Sequence, residues 1–228
     1  MIDIHTHYIP NVDDGSENID SSLKMLKEAV SKGISDIICT PHFREPFKYS
    51  YSEIKNKFEL LKKAVTEEGI NINLYLGREI FCENGLKVLL NSDNFSMCDS
   101  KYVLLEFSSE NDDDIPQIVY ELKLKGYMPI VAHIERYHSL TLDDIIDVKN
   151  AGALIQVNAG SMFGEESKFF KKKVKNLFRE GLVDFVSSDI HEDRINYMEQ
   201  AYKYVSRKFG KEVARSVFID NAKKIIES

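Results

Sequence analysis

Seven short β-rich runs alternate with helical patterns along this chain, and that alternation limits its fold more than any other feature. The runs cover residues 2–4, 36–40, 72–76, 102–106, 128–132, 153–157 and 183–187. Most are almost continuously apolar, as in Ile37-Ile38-Cys39 and Val103-Leu104-Leu105, the pattern of parallel strands covered on both faces. Between them, apolar residues recur at helical spacing: Leu23, Leu26, Ala29 and Val30; Ile54, Phe58, Leu61 and Val65; Ile115, Ile118, Val119 and Leu122; Ile145, Ile146 and Val148; Val174, Leu177 and Phe178. Gly33, Gly69, Gly126, Gly152 and Gly181 follow these sets, where each helix would stop. Two further helical stretches, 196–209 and 211–216, close the chain. Repetition of this kind predicts an α/β fold built on a parallel sheet or barrel. With 228 residues and no linker, repeat or low-complexity break, one domain over 1–228 is expected.

A net charge of -7 argues against a nucleic-acid or membrane-surface partner. The apolar runs are too short and interrupted to cross a bilayer. Met1-Ile2-Asp3-Ile4-His5 lacks the basic and long apolar regions of a signal peptide. The three cysteines, Cys39, Cys82 and Cys98, form no C-x-x-C, and an odd number cannot all pair internally. A reducing cytosol, and therefore a cytoplasmic protein, fits best. Cys39 sits in an apolar run and reads as a small core residue.

The residues that follow the strands carry chemistry. His5 and His7, then Asp13 and Asp14, follow the first; His42 the second; Glu79 the third. Glu106 ends the fourth, His133 follows the fifth, and Asp189 and His191 follow the seventh. In a β/α barrel the carboxyl ends of all strands meet on one face, so these residues would converge. Five of the six histidines lie at such positions, and only His138 does not. In His5-Thr6-His7 an extended backbone points both imidazoles one way, and Asp189-Ile190-His191 repeats the spacing. Imidazole and carboxylate without thiolate suit manganese, iron or zinc in an open site, not a structural cysteine-rich zinc site. Clustered acids would otherwise repel one another and titrate upward.

These residues resemble the motifs of the polymerase and histidinol phosphatase (PHP) superfamily. The resemblance is closer to the bacterial PHP-type protein tyrosine phosphatases of capsule and exopolysaccharide gene clusters. It rests on Met1-Ile2-Asp3-Ile4-His5-x-His7, Val12-Asp13-Asp14-Gly15, Ala132-His133-Ile134-Glu135-Arg136-Tyr137, Gln156-Val157-Asn158, Ser188-Asp189-x-His191 and Phe218-Ile219-Asp220-Asn221. It runs from Met1 to near Ile226. The resemblance implies the PHP fold, a distorted (β/α)7 TIM-like barrel, with three divalent metal ions, manganese or else iron or zinc. It implies one ion on His5, His7, Glu79 and Asp189, a second on Glu79, Glu106 and His133, and a third on Asp14, His42 and His191. It also implies that two arginines, Arg136 and Arg194, bind phosphate. Only Glu192 and Asp193 separate His191 from Arg194, fewer residues than the family pattern, so Arg194 would approach from a different angle or not reach the phosphate. The implied substrate is a phosphotyrosine protein, a tyrosine autokinase that regulates capsular or exopolysaccharide synthesis.

Several residues read two ways. Asp13 suits a general acid, or with Asp14-Gly15 it shapes a turn and caps the next helix. Either arginine suits phosphate, or an ion pair with a neighbour such as Glu135 or Asp193. Tyr8, Phe43, Phe47 and Tyr137 form an aromatic rim or sit in the barrel wall. Lys171-Lys172-Lys173 is a solvated helix face or a docking patch for an acidic partner. No cysteine begins a C-x5-R loop, since Arg44 follows Cys39 one residue too soon, so thiol-based phosphatase chemistry is excluded. The rival readings are a PHP hydrolase of small phosphomonoesters such as histidinol phosphate, a metal-stabilised binding module, and an amide or deaminase-type hydrolase.

Overall fold

The computed structural model describes residues 1–44, 47, 49–82, 95–109 and 114–228. Among them are nine short strands: β1 (Ile2–Asp3), β2 (Asp36–Cys39), β3 (His42–Phe43), β4 (Asn73–Leu76), β5 (Glu79–Phe81), β6 (Tyr102–Glu106), β7 (Met128–Val131), β8 (Leu154–Asn158) and β9 (Phe185–Ser187). All paired strands are parallel, in the orders β1-β2-β4 and β3-β5-β6-β7-β8-β9. An isolated parallel bridge between Thr6 and Ile190 brings the first and last strand ends together. The result is a mixed α/β fold on a curled parallel sheet.

Two predicted runs are interrupted. Residues 36–40 read as one strand, but β2 ends at Cys39 and pairing resumes at His42 in β3. Pro41 between them has no N–H to donate to a ladder. The run at 72–76 likewise stops at Leu76, and β5 begins at Glu79. The two interruptions lie side by side, because Gly77 N donates to Cys39 O and Glu79 N donates to Pro41 O.

Alternate residues of the strands serve two cores. Ile37, Val103, Leu105, Val131, Ile155 and Val186 join a large outer cluster under the helices. Ile2, Ile38, Leu104, Ile130 and Phe185 face inward and form a smaller cluster inside the curl. Each fully buried aliphatic side chain contributes about 1.5–3 kcal/mol. The helices are α1 (Ile19–Ser31), α2 (Tyr51–Glu67), α3 (Ile115–Leu124), α4 (Leu142–Asn150), α5 (Lys168–Arg179), α6 (Met198–Phe209), α7 (Lys211–Arg215) and α8 (Asn221–Ile226). Ser50 with Glu53 and Thr141 with Asp144 form capping boxes at the starts of α2 and α4. All five predicted glycine stops have positive φ.

The chain end departs from the expected 211–216 helix. A π-helical turn (Ser216–Asp220) carries it into α8, whose Ala222 and Ile225 close the inner cluster from below. Asn221 Nδ2 donates to Asp184 O at 2.9 Å and ties that plug to the approach to β9. With its lower end filled by apolar side chains, the curl leaves its carboxyl edge for polar groups. No helix of the described residues is long and apolar enough to cross a membrane.

Candidate metal centre

At the carboxyl edge of the sheet the structure brings together all nine predicted ligands: His5, His7, Asp14, His42, Glu79, Glu106, His133, Asp189 and His191. Their donor atoms fall into four overlapping groups, each within 4.8 Å: His7, Asp14, His42 and His191; His5, His7 and Asp189; His5, Glu79 and His133; His42, Glu79 and Glu106. Glu79 is the hub. Its carboxylate lies 3.1 Å from His5 Nε2, 3.7 Å from His7 Nε2, 2.6 Å from His42 Nδ1 and 3.0 Å from His133 Nε2. Asp14 Oδ1 lies 3.3 Å from both His42 Nε2 and His191 Nε2. The split of Asp189 and His191 between groups has a backbone cause. Asp189 has a φ of 50°, so the chain does not stay extended there. His133 has a φ of 31° and turns back in the same way at the end of β7. Left-handed backbone at non-glycine residues costs about 1–3 kcal/mol each and concentrates at functional sites.

Hydrogen bonds fix how two imidazoles face the centre. Gln156 Oε1 accepts from His133 N at 2.7 Å, which identifies that atom as oxygen. It also lies 3.3 Å from His5 Nδ1, so His5 carries its proton on Nδ1. His7 Nδ1 donates to Asp13 Oδ2 at 2.7 Å. Each ring therefore turns Nε2, a lone pair in the neutral state, toward carboxylate oxygens. His5 Nε2, His7 Nε2, His42 Nδ1 and Glu79 Oε2 are buried, and their close approaches, such as His42 Nδ1 to Glu79 Oε2 at 2.6 Å, lack hydrogen-bond geometry among the described residues. Lone pairs facing carboxylates are reconciled only by a cation between them, a proton or a metal. The donor set fits a divalent metal.

Electrostatics follow from the crowding. Burial works against a charged Glu79, but His5, His42 and His133 hold its carboxyl well below the usual range. Burial is the largest influence on His42 and opposes its charge, but Glu79 and Asp14 together outweigh it, raising His42 to about 9. Burial and the neighbouring Glu79 push Glu106 up to about 7. Burial and Arg136 push His133 down to about 4.

Asp13 does not have the setting of a general acid. Its side chain is fully buried, and Oδ2 accepts from His7 Nδ1 and from His42 N. Although burial favours the neutral form, His7 and His42 hold its carboxyl below the usual range. Oδ1 accepts from Gly15 N at 3.0 Å, so Asp13 also shapes the turn. Gly15 is required there: an added Cβ would meet His7 O at 2.3 Å.

The arginines take different positions. Arg136 donates through Nε and Nη2 to Glu166, at 2.9 and 2.5 Å, and its Nη1 lies 2.8 Å from Asp189 Oδ2. It lines a cavity of about 370 Å³ beside the cluster, together with Glu106 and His133. Arg194 Nη1 donates to the main-chain O and to Oδ2 of Asp189, at 2.9 Å each. It lines a separate cleft with Lys24, Glu28 and Asn196. Neither pairs with the expected Glu135 or Asp193 among the described residues. Arg44, absent from the sequence-based set, stands across the first cavity, 3.5 Å from both Glu106 and Asp14. Its signal was its place two residues after His42, where extended backbone points side chains the same way. Of the expected aromatic rim, Tyr8 and Tyr137 are buried in the core. Phe43 lies under the guanidinium of Arg78, and Phe47 over the ring of His42. Cys39 is fully buried, and burial pushes its thiol up.

A curled parallel sheet with this histidine–carboxylate edge places the chain in the class of TIM-like metal-hydrolase folds. The chain belongs to the capsular polysaccharide synthesis CpsB/CapC family, whose model matches residues 1–227. It is 31% identical over 240 residues to the tyrosine-protein phosphatase CpsB of Streptococcus agalactiae serotype III (strain NEM316), covering 100% of this chain and 99% of that one. A structure from work on YwqE of Bacillus subtilis and CpsB of Streptococcus pneumoniae, metal-dependent tyrosine phosphatases, superposes with a TM-score of 0.92 at 31% identity. It covers 100% of this chain and 94% of the other. The phosphotriesterase of Mycobacterium tuberculosis, at 10% identity and a TM-score of 0.63 over 99% of this chain and 93% of that one, shares the fold.

Proposed function

We propose that this protein is a metal-dependent protein-tyrosine phosphatase that hydrolyses phosphotyrosine on a bacterial tyrosine autokinase regulating capsular or exopolysaccharide synthesis. The carrying observation is the pair His5 and His7, whose Nδ1 protons are committed to Gln156 and Asp13 while Nε2 faces Glu79 and Asp189. Full-length likeness to tyrosine phosphatases supports the substrate class. Its working place is the cytoplasm, and residues 1–228 act as one domain. Its architecture is a seven-stave β/α barrel: β2 with β3 and β4 with β5 count as two interrupted staves, and the Thr6–Ile190 bridge closes the ring.

Three divalent ions, manganese or else iron or zinc, fill the centre. His5, His7, Glu79 and Asp189 hold one, Glu79, Glu106 and His133 a second, and Asp14, His42 and His191 the third. When bound, divalent ions supply Lewis acidity and offset the negative charge of the phosphate. Arg136 would offer its planar fork to two phosphate oxygens in place of Glu166, and Arg44 lines the same cavity. A tyrosine phenol has a pKa of about 10, so it departs with little protonation and Asp13 is free to orient His7. Removal of metal by chelator, then addition of manganese, iron or zinc, tests this reading, with phosphate release from a phosphotyrosine peptide and from histidinol phosphate measured side by side. Metal-restored turnover of the peptide, lost in His133→Ala, is expected. Turnover of histidinol phosphate alone would instead favour a small-molecule phosphomonoesterase.

A further inference from the structure

Two neighbouring rings at the start of α5 divide two cavities. Phe170 is buried and lines the catalytic cavity. Phe169 is 48% exposed and lines a second cavity of about 260 Å³ between α4 and α5. His138, the one histidine outside the metal cluster, also lines the catalytic cavity, with its ring 5.3 Å from Phe169 and 5.2 Å from Phe170. The second cavity is apolar, walled by Leu140, Leu142, Ile145 and Leu177 as well as Phe169. Leu142, at 36% exposure, opens it to solvent.

Its edge is basic. Lys172 lines it and is exposed with no ion pair among the described residues; Lys171 lies outside the lining, its side chain near Gly164. Lys173 plays a different part, since its ammonium donates to Tyr137 O and Leu140 O and holds the wall in place. Of the three acids on the opposite helix, Asp143, Asp144 and Asp147, Asp144 is occupied by the Thr141 cap, and none of the three lines the groove. A chain with a net charge of -7 thus presents an apolar groove with a free basic edge beside its catalytic cavity. Cationic edges with an apolar floor favour an acidic, partly aliphatic peptide.

We propose that this groove is a substrate subsite: it takes an aliphatic side chain of the phosphotyrosine polypeptide, with an acidic neighbour meeting Lys172. The inference rests on the phosphatase reading above. Phe169 and Phe170 are 6.2 Å apart between ring centroids.

Steady-state kinetics of the metal-loaded protein test this on three substrates: p-nitrophenyl phosphate, a phosphotyrosine peptide flanked by leucine and glutamate, and the same peptide flanked by alanine. The leucine–glutamate peptide is expected to have the higher kcat/KM by about tenfold or more, with that advantage lost in Lys172→Glu and Phe169→Ser. Turnover of p-nitrophenyl phosphate stays unchanged in both variants. Equal kcat/KM for the two peptides, with p-nitrophenyl phosphate still hydrolysed, would overturn the subsite and leave the phosphatase reading intact. A dimer in sedimentation that Phe169→Ser dissolves, without a change in peptide preference, would also overturn it and assign the groove to a second copy of the chain. Failure to hydrolyse any of the three would sink the phosphatase reading itself, and the subsite with it.

Discussion

Asp13 Oδ2 lies 2.7 Å from His7 Nδ1, and this contact points the opposite nitrogen of the ring at Asp189 and Glu79. A carboxylate behind a ligating histidine fixes its tautomer and raises its basicity. Asp13→Asn is therefore expected to weaken metal affinity about 10- to 100-fold while leaving turnover at saturating metal largely intact. Activity titrated with manganese checks this. A collapse in kcat that excess metal does not rescue would restore Asp13 to the role of general acid.

Metal binding should release protons. At pH 7.5 the metal-free site holds a proton on His42, raised to about 9, and on His7, held against burial well above its ordinary value by Asp13, Asp189 and Glu79, and part of one on Glu106, raised to about 7. Ligation requires the unprotonated forms. Calorimetric titration with manganese in two buffers of different ionisation enthalpy should give heats that differ by the protons released. Equal heats would contradict the assignment.

The same shifts set the pH dependence of the metal-free fold. His42 has a folded value above its ordinary 6.5, so its stabilisation is full below pH 6.5 and is lost as pH rises to about 9. Glu106, raised from 4.5 to about 7, also loses stability as pH rises through that lower window. His133, lowered to about 4, acts in the opposite sense but only below pH 6.5. The melting temperature of chelated protein is thus expected to fall between pH 6.5 and 9, and manganese should flatten the fall. A melting temperature that rises over this range would refute the account.

Most of the centre was legible because strand ends are legible. Continuous apolar runs such as Val103-Leu104-Leu105 mark buried parallel strands, and the polar residue that follows each one marks the open edge. What sequence did not reveal was geometry within the runs. The break at Pro41 and its neighbour at Gly77 interrupt two staves in register, a tertiary match that neither segment shows alone. Spacing alone did not separate Asp189 from His191, because the positive φ of Asp189 defeats alternation; the family resemblance did. Tyr8 and Tyr137 adjoin metal motifs yet point into the core, with the Tyr137 hydroxyl accepting from Phe107 N. Adjacency in sequence said nothing of that direction. The plug formed by α8 was missed because its few apolar residues follow a π-turn that breaks the helical period.

Gly15 illustrates how tightly the first loop is built. A methyl group there would lie 2.3 Å from His7 O and 2.4 Å from His7 Cβ, contacts that only backbone movement relieves. Gly15→Ala is expected to destabilise the fold by about 1–3 kcal/mol. Because the displaced residue is a ligand, bound metal per chain should fall as well. Denaturant melts with elemental analysis test both. Normal metal content alongside lowered stability would mean that the loop relaxes without moving the imidazole.

The three arginines should rank by where they stand. Arg136 lines the catalytic cavity with Nε and Nη2 on Glu166 and Nη1 on Asp189, and on the proposed reading phosphate would take the place of Glu166 on this fork. Removing such a donor costs about 10²–10³ in rate, so Arg136→Ala should lower kcat/KM on a phosphotyrosine peptide by that much. Arg136→Lys should recover only part of the loss, because an ammonium is a point charge without the fork. Arg44 shares the cavity but sits 3.5 Å from its acidic partners, and Arg44→Ala should cost about tenfold. Arg194 lines the separate cleft and binds the main chain of Asp189, so its loss should act through the position of that ligand. Arg194→Ala should accordingly weaken manganese affinity more than it lowers turnover at saturating metal. A loss at saturating manganese as large as that of Arg136→Ala would place Arg194 on the phosphate instead.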